Sequence, residues 1–171
     1  MTRSALFFLT CCLLLGPGPV HAARPGDRAP EIAAGSVWIG SEPTSLAVLR
    51  GRVVLVNFWT FGCYNCQNTL PALARWHERF AGRGLVILGV HSPEFARERG
   101  REAVAEAVER HGIEYPVVVD DEMRTWNAYE NLYWPAFYFV DRRGSIRFMR
   151  FGEGRYEESE RWIEQLLAES P

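Results

Sequence analysis

The alternation of hydrophobic and polar residues divides the chain into short apolar runs and helical patterns. Residues 53–59 and 85–90 are apolar runs rich in β-branched side chains, which are typical of buried strands. Between them, apolar residues recur at roughly helical spacing from about residue 64 to 81. The three segments therefore predict a βαβ unit with parallel strands and a right-handed crossover.

The remaining pattern extends this unit without a second domain or an internal repeat. It predicts a first strand at 37–39, a helical turn at 46–49, a helix at 98–110, a strand at 117–119, a short helix at 122–129, a hairpin of strands at 136–140 and 145–151, and an amphipathic helix at 156–168. The predicted fold class is α/β, with a central mixed β-sheet flanked by helices in a single domain.

The first 22 residues have the features of a secretory signal peptide. A basic residue precedes the apolar residues 5–15, and a Gly/Pro stretch then leads to a small-residue cleavage site at Ala22. The apolar stretch of about 11 residues is shorter than the roughly 20 that span a bilayer. We therefore expect cleavage after Ala22, export to the periplasm and a folded domain at 23–171, with an uncleaved membrane anchor as the alternative. Residues 23–30 are expected to form a loose arm.

Composition and cysteine content narrow the chemistry. The chain is 47% hydrophobic with a formal net charge of −2, so nothing in its charge suggests a nucleic-acid partner. Removal of residues 1–22 leaves Cys63 and Cys66 as the cysteines of the exported protein. A bridge across so short a loop restrains little of the unfolded chain, so a structural role for it is a poor explanation. The pair is therefore predicted to be redox-active.

The predicted position of the pair favours a thiolate. Cys63 should lie at the turn between strand and helix, with Cys66 in the first helical turn. Free backbone N–H groups and the helix dipole stabilise an anion there, and the pKa of such cysteines falls from about 8.5 to roughly 3.5–7.5. Cys63 is the predicted attacking thiol and Cys66 the resolving one. Gln67 follows Cys66 where haem attachment requires His, and no further cysteine or histidine pair has metal-site spacing, so no metal site is predicted.

One run of residues carries a family resemblance. Val56 to Cys66 reads Val-Asn-Phe-Trp-Thr-Phe-Gly-Cys-Tyr-Asn-Cys, and Pro71 follows five residues later. This run resembles the thioredoxin-like family, in particular the exported TlpA/ResA branch and the thioredoxin-like domain of DipZ-type proteins, over about residues 26–167. The resemblance implies a thioredoxin-like fold and a monomeric thiol:disulfide oxidoreductase without a cofactor. It also implies a client protein with a disulfide or dithiol and a membrane electron donor.

The resemblance also assigns a substrate surface. In the family, a cis-proline faces the two cysteines, and the matching residue is Pro135, which follows Trp134. We therefore expect a cis Trp134–Pro135 bond lining a groove where a client strand docks. Trp59 and Tyr64, beside the cysteines, are further candidates for client contact.

A proton acceptor is expected at Glu94. Thioredoxin has a buried aspartate in the strand before its cysteines, but the matching Asn57 cannot take a proton. The TlpA/ResA branch is instead expected to carry a glutamate in the loop after the next strand, which corresponds to Glu94. Burial in an apolar groove would raise the pKa of that carboxyl and let it accept the proton of Cys66. The alternative is a solvated glutamate near a helix N-terminus.

Other interpretations of the same residues remain open. Trp126 and Tyr129 fit the aromatic DipZ-type pattern, and could either bind a client strand or fill the underside of the short helix. Thr60 and Cys63 form the T-x-x-C of peroxiredoxins, although Val56 stands where those enzymes have proline; a thiol peroxidase is thus an alternative function. A metallochaperone holding Cu(I) on the two cysteines is another.

Overall fold

A computed structural model of the protein describes residues 23–33 and 36–170. The strands are β1 (Val37–Ile39), β2 (Val53–Trp59), β3 (Leu85–His91), β4 (Val117–Val119), β5 (Ala136–Val140) and β6 (Ile146–Phe151). The helices are α1 (Tyr64–Phe80), α2 (Arg101–Arg110), α3 (Arg124–Ala128) and α4 (Tyr156–Ala168). The predicted signal peptide lies outside the described residues. Within the described part of the chain, no helix combines the length and apolarity needed to cross a membrane.

In the part of the chain that the structure describes, six strands form one mixed sheet in the order β1-β4-β3-β2-β5-β6. β2, β3 and β4 run parallel, whereas β5 is antiparallel to β2, β6 is antiparallel to β5, and β1 is antiparallel to β4. The predicted α/β fold with a central mixed sheet is confirmed. β2 lies in the middle of the sheet with every residue buried, because both of its faces are covered.

The two faces of the sheet carry separate cores. On one face, α1, α2 and α4 bury a cluster that includes Trp76, Phe80 and Ile163. On the other, α3 and the N-terminal segment, which comprises residues 23–33, cover a second cluster that includes Phe58 and Ile32. Because parallel strands joined by helices are buried on both faces, β2 and β3 read as continuous apolar runs rather than alternating ones.

The N-terminal segment is not the loose arm that was expected. The amide of Gly26 donates to the carbonyl of Ile146 at 2.8 Å, and Arg28 forms a β-bridge with Ser145. Ala29 and Ile32 are buried. The segment is therefore fixed to the β5–β6 hairpin by backbone hydrogen bonds and apolar contacts.

The ends of the helices differ most from the predictions at α2 and α3. α2 begins at Arg101 rather than 98, because residues 96–98 form a separate 3₁₀ turn and Gly100 adopts φ +100°. α3 is shorter than predicted and follows Met123, which has φ +55°. Residues 46–50 form turns, and the hydrogen bond from the amide of Leu49 to the carbonyl of Ser45 at 3.1 Å closes the predicted helical turn.

Candidate active site

Cys63 ends the turn that joins β2 to α1. The turn closes through a hydrogen bond from the amide of Cys63 to the carbonyl of Thr60, at 3.2 Å. Cys63 has extended backbone angles and caps α1, since its Sγ accepts from the amide of Cys66 at 3.2 Å. A cap supplies an acceptor for the free N–H groups of the first turn. Cys63 is half-buried and Cys66 is completely buried, as the sequence predicted.

The two thiols have opposite electrostatic environments. A hydrogen bond from the Cys66 side chain, helped by the backbone amides of Cys66 and Asn65, lowers the pKa of Cys63 to about 7, against burial and the charge of Glu94. Burial strongly raises the pKa of Cys66, and the hydrogen bond to Cys63 adds to this, although the backbone amide of Thr60 acts in the opposite direction. At neutral pH, Cys63 is therefore the thiol that can be ionised and reached.

Pro135 lies at the end of β2, where the cysteine turn begins. The Trp134–Pro135 peptide bond is cis, as predicted. β5 places it there, because Ala136 pairs with Phe58 in the antiparallel ladder. The side-chain amide of Asn57 reinforces this pairing by donating to the carbonyl of Ala136 at 3.2 Å.

Exposed apolar side chains surround the site. Tyr64 is 75% exposed and Leu132 72%, and Tyr133 is also exposed. Tyr133 packs against the exposed Phe151 with 5.1 Å between ring centroids. These side chains give the site an apolar rim on which an extended chain could lie.

Trp59 and Trp134 differ in what they can contact. Trp59 is completely buried, so its predicted contact with a client is wrong for this conformation; it packs edge-on against His91 beneath the turn. Trp134 is half-buried. It stacks on Trp126 at 4.1 Å and donates from its indole nitrogen to the carbonyl of Ser92 at 2.9 Å. Trp134 therefore remains a candidate for client contact.

Trp126 and Tyr129 fill the underside of α3. Both are buried and pack against Phe58, with ring centroids 5.8 and 5.1 Å away. Of the two interpretations left open by the sequence, burial favours packing.

Glu94 is exposed, and the buried position predicted for it is wrong. β3 ends at His91, and the chain then leaves the sheet so that Glu94 points into solvent. Its charge nevertheless acts on both thiols, raising the pKa of Cys63 and, more weakly than burial does, that of Cys66. That Glu94 accepts the proton of Cys66 stays a prediction, although the burial from which it was argued is not observed.

The completely buried carboxylate near the cysteines is Glu98, which sequence reasoning missed. Its Oε2 accepts from the hydroxyl of Thr60 at 2.7 Å and from the amides of Glu94 and Phe95 at 2.9 and 3.2 Å. The sequence shows two glutamates four positions apart, and the predicted helix at 98–110 placed Glu98 at a helix start, with nothing to indicate its burial. The 3₁₀ turn at 96–98, which directs Glu98 inward, has no clear sequence signal.

His91 is a second buried polar residue behind the turn. Its ring stacks on Phe61 with 5.2 Å between centroids, and Nε2 lies 3.3 Å from the hydroxyl oxygen of Thr60. Burial lowers the pKa of His91 to about 4, although the charges of Glu98 and Asp121 oppose this. His91 is therefore neutral at physiological pH and supports the turn from below.

The amino-acid sequence is similar to those of known proteins. Residues 25–149 match the AhpC/TSA family. This chain belongs to the AhpC/TSA family. Protein DipZ of Mycobacterium bovis is 40% identical over 142 residues, which are 81% of this chain and 20% of DipZ. Thiol-disulfide oxidoreductase YkuV of Bacillus subtilis is 26% identical over 141 residues, which are 82% of this chain and 95% of YkuV.

A solved structure has the same fold as this member of the AhpC/TSA family. The crystal structure of a thiol-disulfide isomerase from Corynebacterium glutamicum superposes with a TM-score of 0.72 at 26% identity, covering 83% of this chain and 98% of that one. The thioredoxin-like resemblance and fold are thus confirmed. The chain spans about a fifth of the length of the DipZ proteins that it matches.

Proposed function

We propose that this protein is an exported thiol:disulfide oxidoreductase that reduces the disulfides of client proteins. The observation that carries the proposal is the pairing of a half-exposed Cys63, with its pKa lowered to about 7, and a buried Cys66 at the start of α1. Similarity to YkuV, which is named for this activity, supports it. An ionised, accessible thiol and a protected partner are what two-step disulfide exchange requires.

The reaction transfers two electrons to the client. The Cys63 thiolate attacks one sulfur of the client disulfide, so a mixed disulfide forms and the client's other sulfur leaves as a thiolate. Cys66 then loses its proton to solvent or to a nearby acceptor, and its sulfur attacks Sγ of Cys63. The client leaves as a dithiol, and the protein is left with a Cys63–Cys66 disulfide.

The surroundings of Cys63 suit an extended client segment. Trp134 and Pro135 end beside the turn, and Tyr64 projects from it into solvent. We propose that Trp134 and Tyr64 contact the segment on either side of its disulfide and that Pro135, which is buried, bounds the groove, with main-chain pairing along the groove. The exposed apolar rim indicates apolar residues flanking the client cysteines.

The direction of electron flow, the compartment and the donor belong to the same proposal. An exported reductant must be re-reduced from outside its compartment, so we propose a membrane donor that reduces the Cys63–Cys66 disulfide. Residues 1–22 would direct export, and the domain at 23–171 would act as a monomer.

The test is reduction of a client disulfide by the purified protein, with insulin as substrate and dithiothreitol as electron source. We expect the wild-type protein to accelerate insulin reduction and Cys63→Ser to abolish the acceleration. In a separate reaction without dithiothreitol, reduced Cys66→Ser should stop at a mixed disulfide with insulin that is visible on a non-reducing gel. Insulin reduction at the background rate by wild-type protein would refute the proposal.

The second measurement is the reduction potential of the Cys63–Cys66 disulfide, because the direction of electron transfer depends on it. Equilibration against a glutathione series gives the fraction of protein in the disulfide form. A potential well below that of glutathione supports a reductant, and one well above it supports an oxidant.

A peroxidase is the alternative that the T-x-x-C spacing raises. The hydroxyl of Thr60 is buried and donates to Glu98, so it is already engaged inside the protein. Hydrogen peroxide consumption measured with the same reduced protein separates the two functions: rapid turnover without a disulfide acceptor would favour a peroxidase.

A further inference from the structure

Glu98 is a buried carboxylate directly behind the cysteine turn. Burial of a charged group is costly unless hydrogen bonds compensate for it. Three donors converge on Oε2, whereas Oε1 is buried without a hydrogen-bond partner. The cation of Arg97 lies 3.6 Å from Oε1, but this side chain is 68% exposed.

Oε1 of Glu98 lies against the backbone of Gly62. A Cβ atom placed on Gly62 would be 2.0 Å from this oxygen and 2.9 Å from the carboxyl carbon. The carboxylate therefore occupies the space that a side chain at Gly62 would need. Because Gly62 immediately precedes Cys63, the carboxylate packs against the backbone of the turn that carries the nucleophile.

Thr60 connects Glu98 to both cysteines. Its side chain is fixed by the 2.7 Å hydrogen bond to Glu98. Its carbonyl accepts from the amide of Cys63, and its own amide acts on the sulfur of Cys66, where it lowers the pKa of that thiol against the effect of burial. A rotation of Thr60 would therefore disturb the turn at Cys63 and the amide that favours a Cys66 thiolate.

We propose that Glu98 is a positioning residue of the redox site, holding Thr60 so that its amide remains directed at Cys66 when that thiol ionises to resolve the mixed disulfide. The proposal rests on the proposed function and adds a residue to it. Glu98 contacts neither the client nor the sulfurs in this role; it acts through Thr60. The step it assists is the second one, because the Thr60 amide favours the thiolate of Cys66 and does not act on that of Cys63.

The test uses 5,5′-dithiobis(2-nitrobenzoate), which reports the two steps separately. Attack by Cys63 releases one thionitrobenzoate and leaves the other on Cys63, and attack by Cys66 then releases the second. Stopped-flow absorbance across pH gives both rates. The informative variants are Thr60→Val, which removes the hydroxyl at nearly constant volume, and Thr60→Ser, which keeps it. Glu98→Ala removes the carboxylate.

We expect Thr60→Val and Glu98→Ala to slow the second release by about tenfold, from the typical worth of a hydrogen bond near a charged group, and to move its pH midpoint upward. The first release should change less than the second, and Thr60→Ser should restore the second. The two losses should not add in the double variant, because both act through one contact. Glu102→Gln, a charge change on the exposed face of α2, is the control and should match wild type.

Two results would overturn the proposal. One is an unchanged second release in Thr60→Val at every pH; the other is an equal slowing of both releases, which indicates general loosening of the fold. Thr60→Val and Thr60→Ser keep the test available if Glu98→Ala does not fold, which circular dichroism checks. Failure of the proposed function is measured separately, as insulin reduction at the background rate by a wild-type protein that still shows both releases.

Discussion

At the scale of single residues, position rather than chemical type decides what each thiol can do. Cys63 and Cys66 are identical side chains three residues apart, yet one caps a helix and the other lies beneath its first turn. The cap lowers the pKa of the first, and burial raises that of the second. A division of labour between attacking and resolving thiol follows from this geometry.

The pKa of Cys63 predicts the pH dependence of its alkylation. Only the thiolate reacts, so the rate with iodoacetamide should rise with pH and reach half its maximum near pH 7. Cys66 should stay unmodified over this range. Mass spectrometry of peptides after timed alkylation measures both, and faster labelling of Cys66 would reverse the assignment of the two roles.

Glu94→Gln should lower the pKa of Cys63, because it removes a charge that raises it. The fold should be unaffected, since the side chain is exposed. We also expect release of the mixed disulfide to be at least as fast as in wild type. The alkylation profile and the thionitrobenzoate assay measure these two effects. Slower release, strongest below neutral pH, would instead identify Glu94 as the proton acceptor predicted from the sequence.

His91 should make stability depend on pH. Burial lowers its pKa to about 4 in the folded protein, whereas the unfolded value is about 6.5. Between these pH values, the unfolded chain therefore binds more protons than the folded protein. The contribution of neutral His91 to the free energy of unfolding is fully present above pH 6.5 and is lost as pH falls toward 4. The full difference corresponds to about 3 kcal/mol.

Urea unfolding of wild type and His91→Gln across this pH range measures the contribution. The wild-type free energy of unfolding should fall more steeply toward pH 4 than that of the variant. Parallel curves would show that His91 does not titrate as a buried group.

The sequence predicted these residues unevenly. Cys63 and Cys66 belong to a motif whose spacing defines their positions, and Pro135 was assigned through the family resemblance, so all three could be found without coordinates. Glu98 could not, because its burial depends on one 3₁₀ turn, and no periodic pattern distinguishes it from Glu94. The hydrogen bond from the Thr60 hydroxyl to Glu98 depends on the same turn, so the sequence did not indicate it either.

At the scale of elements, apolar periodicity located strands and helices well but not their ends. β2 and α4 begin and end where the pattern places them. α2 begins late because Gly100 takes a left-handed conformation, which a run of helix-forming residues does not reveal. The N-terminal segment was misjudged because its Pro, Gly and Arg residues are typical of a loose arm, whereas its few apolar residues are buried.

Ile32→Ala tests whether this segment belongs to the fold. Ile32 is 6% exposed in the core beneath α3, so truncation should lower the free energy of unfolding by about 2–5 kcal/mol. Val48→Ala is the matched control, because Val48 is 74% exposed and should change stability by about 0.5 kcal/mol or less. Chemical denaturation measures both, and equal effects would show that the segment does not contribute to the core.

At the scale of the whole molecule, β2 is a long central strand with a neighbour on each side. It pairs with β3 on one side and with β5 on the other, and every residue in it is buried. Its amides can therefore exchange with solvent only when the sheet opens as a whole. β1 pairs with β4 alone and lies at the sheet edge.

Hydrogen–deuterium exchange should consequently show the slowest exchange in β2 and faster exchange in β1. Protection in β2 should decrease on the same denaturant scale as global unfolding, measured by mass spectrometry of peptides from the two strands. Equal exchange rates in β1 and β2 would contradict the central position of β2.

The pairing of β5 with β2 also orders the assembly of the site in time. A nascent chain that has emerged as far as β3 already holds both thiols, and β2, α1 and β3 are contiguous in sequence. Tyr64 emerges with the thiols, but Pro135 and the other rim residues, Leu132, Tyr133 and Phe151, arrive only with the last third of the chain, after α2, β4 and α3. A chain interrupted before β5 thus carries thiols without the surface that selects a client. Selective disulfide exchange is therefore a property of the finished polypeptide, whereas thiol reactivity precedes it.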